Sequence, residues 1–417
     1  MRLFSEWIWS GVGEAFTGEI EVEGGRIVAL RQARLPGRGR TPTASVVLRD
    51  SIVLPGLVNA HTHLDLTFPR PGESLEGSFT DWLLSVRERR MAAGGEGLRA
   101  AAARGVAGAL AAGTTLLVDY DSGGFSVPAL AASPIRRLIL REVIAFENDV
   151  ARRLPDLEEF LDGAEAVDPE REIRGLAPHA PYTVHPELLR EVTGLARRRG
   201  APWSMHVAEQ PWERELLRSG GGQGAAFLRG LGVSLRDFAA AGLGPVEMLA
   251  ERGLLDDRPL LVHANHLTDA DIEILSGHRA VVVFCPRSHR YFQHPPHPLP
   301  RLLEAKVEVI LGTDGMISSG DLSMLAEMRA VREAFPGLSA ASILEMATGA
   351  PRRVLGGSFR CGLLAPGEPA DLAVFSLPPG NRTDPLEDLL SAGRPRSTII
   401  DGEPCWSAGG SDSAIQP

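Results

Sequence analysis

From about Ser51 onward, short apolar runs alternate with longer helix-like stretches, and the alternation repeats roughly eight times before Gly356. The strand candidates are Ile52–His63, Thr114–Asp119, Leu138–Ile144, Ile173–Pro178, Pro202–Val207, Leu260–Ala264, Ala280–Cys285 and Val307–Thr313. Val, Leu and Ile fall at successive rather than alternate positions, the pattern of parallel strands buried on both faces. Leu98–Ala112, Pro186–Arg199 and Ala340–Val354, among the stretches between them, are rich in helix formers. Eight βα units predict an α/β fold, a (β/α)₈ TIM-like barrel over 55–362. At the two ends the pattern changes. Glu19–Val46 alternates apolar and polar residues around Gly24 and Gly25, and Ala370–Phe375 and Ser397–Asp401 are short β-rich segments among turns. These predict a small β-sandwich domain built from both termini, 1–54 and 363–408, followed by a flexible tail over 409–417.

At 44% hydrophobic and 23% charged residues over 417, the composition is that of an ordinary globular protein. A net charge of −10, without a basic stripe, argues against a nucleic-acid partner and for a small-molecule substrate. Met1–Gly18 contains Glu6 and Glu14 and lacks the apolar core of a signal peptide. No stretch reaches the roughly 18 unbroken apolar residues of a membrane span. Cys285, Cys361 and Cys405 lie far apart with no CxxC pair, so a reducing cytoplasm is expected, with homodimer formation left open. Lys306 is the single lysine, against 42 arginines.

The histidines carry the chemistry. His61 and His63 end the first barrel strand, His179 follows the fourth, His206 ends the fifth, His263 and His266 end the sixth, and His289, His294 and His297 follow the seventh. All fall at carboxyl ends of strands, where barrel enzymes keep their active sites. His61-Thr62-His63 has spacing two, so both imidazoles project from one side of a strand. With His206 and Asp314 they make three imidazoles and a carboxylate, a donor set for one divalent ion, zinc most readily, with iron or manganese as alternatives. Glu209, three residues after His206, is placed for a general base that is not a ligand. His263 is placed to hydrogen-bond the attacking hydroxide or the leaving group.

Five motifs in order, Pro55-Gly56-Leu57-Val58-Asn59-Ala60-His61-Thr62-His63, His206-Val207-Ala208-Glu209, Val262-His263-Ala264-Asn265-His266-Leu267, Cys285-Pro286-Arg287-Ser288 and Leu311-Gly312-Thr313-Asp314, resemble the amidohydrolase superfamily, in its branch of chlorohydrolases and aminopurine deaminases. Gly362–Leu372 is similar to that family's return into its terminal β domain. The resemblance implies that His61, His63, His206 and Asp314 bind one metal. It also implies that Glu209 shuttles the proton, His263 orients the hydroxide and Asp314 helps the amino group depart. Binuclear members commonly bridge their metals with a carboxylated lysine on a middle strand. Lys306, just before the eighth strand, cannot supply that bridge, so one metal is expected.

For substrate contacts, Ala177-Pro178-His179 resembles the family's fourth-strand motif, which puts His179 on the heterocycle. The run Cys285–Phe292 offers Arg287 for a substrate carboxylate, with His289 and two aromatic rings beside it. Together with His61–Leu66 it looks like the aminodeoxyfutalosine deaminases of menaquinone synthesis, although Asp65 and His289 stand where members often carry Glu and Asn. The implied reaction is hydrolysis of a 6-amino group from an adenine nucleoside. Adenosine, methylthioadenosine, S-adenosylhomocysteine or guanine deaminases and triazine chlorohydrolases are the alternatives. A catalytically dead scaffold is disfavoured because no ligand is missing.

Overall fold

In the computed structural model, residues 1–37, 45–163, 167–235, 238, 242–355, 359–380 and 384–409 are described. The chain opens with β1 (Arg2–Ile8), β2 (Phe16–Glu23), β3 (Arg26–Gln32) and β4 (Ser45–Pro55). At Gly56 it leaves this first sheet. The Gly56 amide donates to the Asp371 carbonyl (2.9 Å), and a side chain there would meet the Thr115 hydroxyl at 2.0 Å. The single strand expected over Ile52–His63 is therefore two, and β5 (Leu57–Thr62) begins a different sheet.

β5 pairs in parallel with β6 (Thr114–Asp121), which continues to β7 (Arg136–Val143) and β8 (Glu172–Pro178). A second parallel sheet holds β9 (Ser204–Val207), β10 (Leu260–His263), β11 (Val281–Phe284) and β12 (Glu308–Leu311). Every residue of β5, β6, β9, β10 and β11 is buried, as the unbroken apolar runs predict. The sheets adjoin at both edges. Leu176 of β8 bridges in parallel to Trp203, and beyond β12 the Thr313 and Asp314 amides donate to the His61 carbonyl (3.1 and 3.0 Å). Gly312 makes that second approach possible, because a Cβ there would lie 2.8 Å from the His61 backbone nitrogen.

β13 (Leu372–Ser376), β14 (Arg394–Ile400) and β15 (Glu403–Ser407) return to the first sheet, giving the order β15-β14-β13-β4-β1-β2-β3. The expected contribution of both termini is present. The pairing, however, makes one seven-stranded sheet where two facing layers were expected. Alternate residues divide between two cores, as the pleat requires. Val53, Leu372 and Val374 pack with Leu3, Ile20, Ile27 and Ile399, whereas Ile52, Leu54, Ala373 and Phe375 join the main core with Leu57 and Leu117. Arg136 of β7 pairs with Asp371 (2.6 Å), both almost fully buried, and ties the sheets together. β1 and β15 were not read from sequence, and the tail expected over 409–417 lies, Gly409 apart, outside the described residues.

Pro186–Arg199 is helical over the range expected, with Pro186 in its first turn, three arginines in its last and Gly200 left-handed at its end (φ 61°). Ala340–Val354 is instead two helices, Ala340–Glu345 and Gly349–Val354. A helix begins much earlier than expected, at Phe79, and runs to Ala111 with a break at Gly94 (φ 60°). Its first half lines one cavity together with His63, His206 and Asp314. No helix among the described residues is long and apolar enough to cross a membrane.

Candidate active site

Within β5, the Asn59 side chain donates to Thr313 Oγ1 (2.9 Å) and accepts from the Thr313 amide (3.0 Å), locking β5 to the residues after β12. This sets His61 and His63 beside Asp314, whose Oδ1 lies 3.5 and 3.8 Å from their Nε2 atoms. Ser288 and Ser318 donate to Asp314 Oδ2 (2.7 and 2.8 Å), leaving Oδ1 for the imidazole side. His206 Nδ1 donates to the His179 carbonyl (2.9 Å), so its Nε2 keeps the lone pair. Donor atoms of His61, His63 and Asp314 lie within 4.8 Å of one another, as do those of His61, His206 and His263. Ala208 (φ 52°), His263 (φ 72°), Ala264 (φ 49°) and Asp314 (φ 64°) all adopt the left-handed backbone that non-glycine residues avoid. Strain of this kind collects where a fold must aim side chains inward.

The charges suit a cation. Burial holds His61, His63 and His206 down at about 4, so all three are neutral at pH 7, the form in which an imidazole can bind a metal. Burial alone would raise the Asp314 carboxyl, but His61, His263 and His63 outweigh it and hold it well below the carboxylate range. Both ring nitrogens of His61 are buried without a hydrogen-bond partner. An unsatisfied buried imidazole is costly, and a divalent ion would take up the lone pair of one of these two nitrogens.

Glu209 stands beside this cluster, its Oε1 3.6 Å from His263 Nε2. Burial, then Asp314 and Glu213, hold its carboxyl well above the ordinary range, which favours uptake of a proton. The turn that carries it is fixed by Glu213, which accepts from the Ala208 and Gln210 amides (2.8 and 2.9 Å). His63, His179, His206, Glu209, His263 and Asp314 open onto one cavity of about 610 Å³. Its outer wall is apolar, with Phe79, Trp82, Leu84, Met91, Phe146 and Leu231, and it carries two guanidiniums, Arg87 and Arg90.

Residues 52–405 match the Amidohydrolase family. The chain belongs to that family. Among its relatives, an aminodeoxyfutalosine deaminase of Deinococcus radiodurans is 30% identical over 368 residues, 84% of each chain. A 5-methylthioadenosine/S-adenosylhomocysteine deaminase of Carboxydothermus hydrogenoformans is 30% identical over 78% of this chain and 73% of that one. Two solved structures share the fold. An adenosine deaminase from Xanthomonas campestris with bound zinc covers 97% of this chain and 92% of its own (TM-score 0.79, 24% identity), and Helicobacter pylori aminofutalosine deaminase covers 97% and 99% (TM-score 0.80, 20% identity). This amidohydrolase is a hydrolytic deaminase.

The fold brings together His61, His63, His206, Asp314, Glu209, His263 and His179. It does not bring Arg287 or His289 to the cavity. Arg287 is buried against Glu327 (2.6 Å) and Asp321 (2.7 Å), so its guanidinium is already neutralised. The nitrogens of His289 contact Asn265 Oδ1 (3.0 Å) and the Pro295 carbonyl (2.9 Å), and its ring lines a separate cleft with Pro286 and Phe335. The helix of Pro286–Tyr291 turns these side chains away from the strand ends. Sequence reasoning missed Asn59, Glu213, Arg87 and Glu142. Glu142 had a visible signal: it lies near the carboxyl end of β7, the third of the eight parallel strands, in the same position class as the histidines.

Proposed function

We propose that this amidohydrolase removes the 6-amino group of an adenine nucleoside by hydrolysis, releasing ammonia, and that His61, His63, His206 and Asp314 hold one divalent ion. Three imidazoles and a carboxylate favour zinc, and iron or manganese fit the same donors. When bound, the ion supplies an acidified water and a Lewis acid. Glu209 takes the proton from the attacking water and delivers it to the adjacent ring nitrogen as the C–O bond forms. His263 hydrogen-bonds the incoming oxygen. Asp314 passes the second proton to the amino group, the C–N bond breaks and ammonia leaves. His179 meets the heterocycle from the β8 side.

The observation that carries this reading is Glu209, buried and proton-accepting, in one cavity with His63, His206 and Asp314, against which His61 is packed. The two adjoining parallel sheets are read as halves of one (β/α)₈ barrel. The unpaired cysteines suit the cytoplasm. Within the nucleosides, the finer reading is aminodeoxyfutalosine, the intermediate of menaquinone synthesis, supported by the Deinococcus radiodurans relative and by an apolar outer wall that suits an aryl group. A carboxylate on that group would meet Arg87, because Arg90 is already paired with Asp65 (2.8 Å). Ammonia release across adenosine, methylthioadenosine, S-adenosylhomocysteine and aminodeoxyfutalosine tests the reading. Highest kcat/KM on aminodeoxyfutalosine supports the finer claim, and turnover only of a non-nucleoside contradicts both.

A further inference from the structure

Glu142 is the penultimate residue of β7 and lines the cavity among groups that the proposed chemistry uses, yet that chemistry gives it no role. Its carboxyl lies close to the catalytic cluster: one oxygen is within 4.8 Å of donor nitrogens of both His63 and His206. Oε1 is buried without a hydrogen-bond partner. Its surroundings are mostly acidic, with Asp65, Asp119 and Asp121 opposing Arg90, whose guanidinium is committed to Asp65. On the outward side the wall becomes apolar through Ile144 and Phe146. Glu142 is thus a polar point between the reacting centre and an apolar sleeve. An unsatisfied buried carboxyl is costly in the free protein, and a ligand that satisfies it recovers that cost on binding.

We infer that Glu142 is a substrate-binding residue that anchors hydroxyl groups of the pentose, and so sets a preference for ribonucleosides over their deoxy forms. This rests on the adenine-nucleoside reading above. With the base at the histidine cluster, the group next along the substrate is its sugar. A hydroxyl both donates and accepts, so it satisfies Glu142 whether the carboxyl is ionised or protonated. An ammonium would satisfy only the ionised form, and an apolar group neither. Beyond the sugar, the 5′ substituent enters the apolar sleeve.

The test compares adenosine with 2′-deoxyadenosine and 3′-deoxyadenosine in the metal-loaded wild type, Glu142→Gln and Glu142→Ala, with metal content measured alongside. The wild type should favour the ribonucleoside over at least one deoxy form by about tenfold or more in kcat/KM, mostly through KM. Glu142→Ala should lose that preference, and Glu142→Gln, whose amide still reaches a hydroxyl, should restore part of it, both with full metal content. Equal use of ribo and deoxy substrates by an active wild type would overturn the inference while leaving the deaminase reading intact. So would loss of metal in Glu142→Gln, which would make Glu142 a ligand with His63 and His206. If no adenine nucleoside released ammonia, the deaminase reading itself would fall and the inference with it.

Discussion

At the scale of single residues, Glu209 and Arg287 separate chemistry from structure. Glu209→Gln keeps the shape of the side chain but cannot accept a proton, so kcat should fall by at least about 10²-fold with metal content unchanged. Near-normal turnover would remove Glu209 from the proton path. Arg287 was read from sequence as a carboxylate grip, but it is buried on Glu327, whose side chain is fully buried. Arg287→Ala strands that carboxylate and should cost about 3–5 kcal/mol in urea unfolding. It should not selectively raise KM for carboxylate-bearing nucleosides. That selective effect belongs to Arg87→Gln, measured as KM on a carboxylated against a neutral 5′ substituent. The four ligand candidates were legible because each sits in a motif at a strand end. Arg87 was not, because nothing in a run of arginines marks the one that faces a cavity.

Among the elements, the strand ends and the turns after them decide geometry. Glu213 holds the turn between β9 and the following helix, and burial pushes its carboxyl from an ordinary 4.5 up to about 7. Between those values the folded chain keeps a proton that the unfolded chain has released, so this group's contribution to stability falls as pH rises from about 4.5 to about 7. Glu213→Gln should flatten that slope in unfolding measured at pH 5 and pH 8. It should also lower kcat without releasing metal, since the amide nitrogen faces one of the two backbone donors. Gly312→Ala tests the seam between β12 and β5. A methyl 2.6 Å from the His61 Cβ forces the strands apart, with an expected cost of about 1–3 kcal/mol and weaker metal retention. The eight parallel strands were legible because burial on both faces leaves unbroken apolar runs. β1 and the division at Gly56 were not, because they depend on which sheet each backbone group pairs with.

For the molecule as a whole, two adjoining parallel sheets, braced by a seven-stranded sheet from both termini, present one cavity in which His63, His179, His206, His263, Asp314 and Glu209 meet. Sequence motifs in fixed order were enough to assemble this site. The outer wall escaped them, since Phe79, Trp82 and Met91 come from a helix that starts well before the stretch with clear helical composition. The central claim is hydrolytic deamination of an adenine nucleoside at a metal centre. It is tested most directly by ammonia release from adenosine and aminodeoxyfutalosine, before and after a chelator strips the protein and zinc is returned. The account predicts stoichiometric ammonia and the matching inosine-type product, loss of both after chelation, and recovery with about one zinc per chain. Turnover that survives complete removal of metal, or none on any adenine nucleoside by the zinc-loaded enzyme, would contradict it.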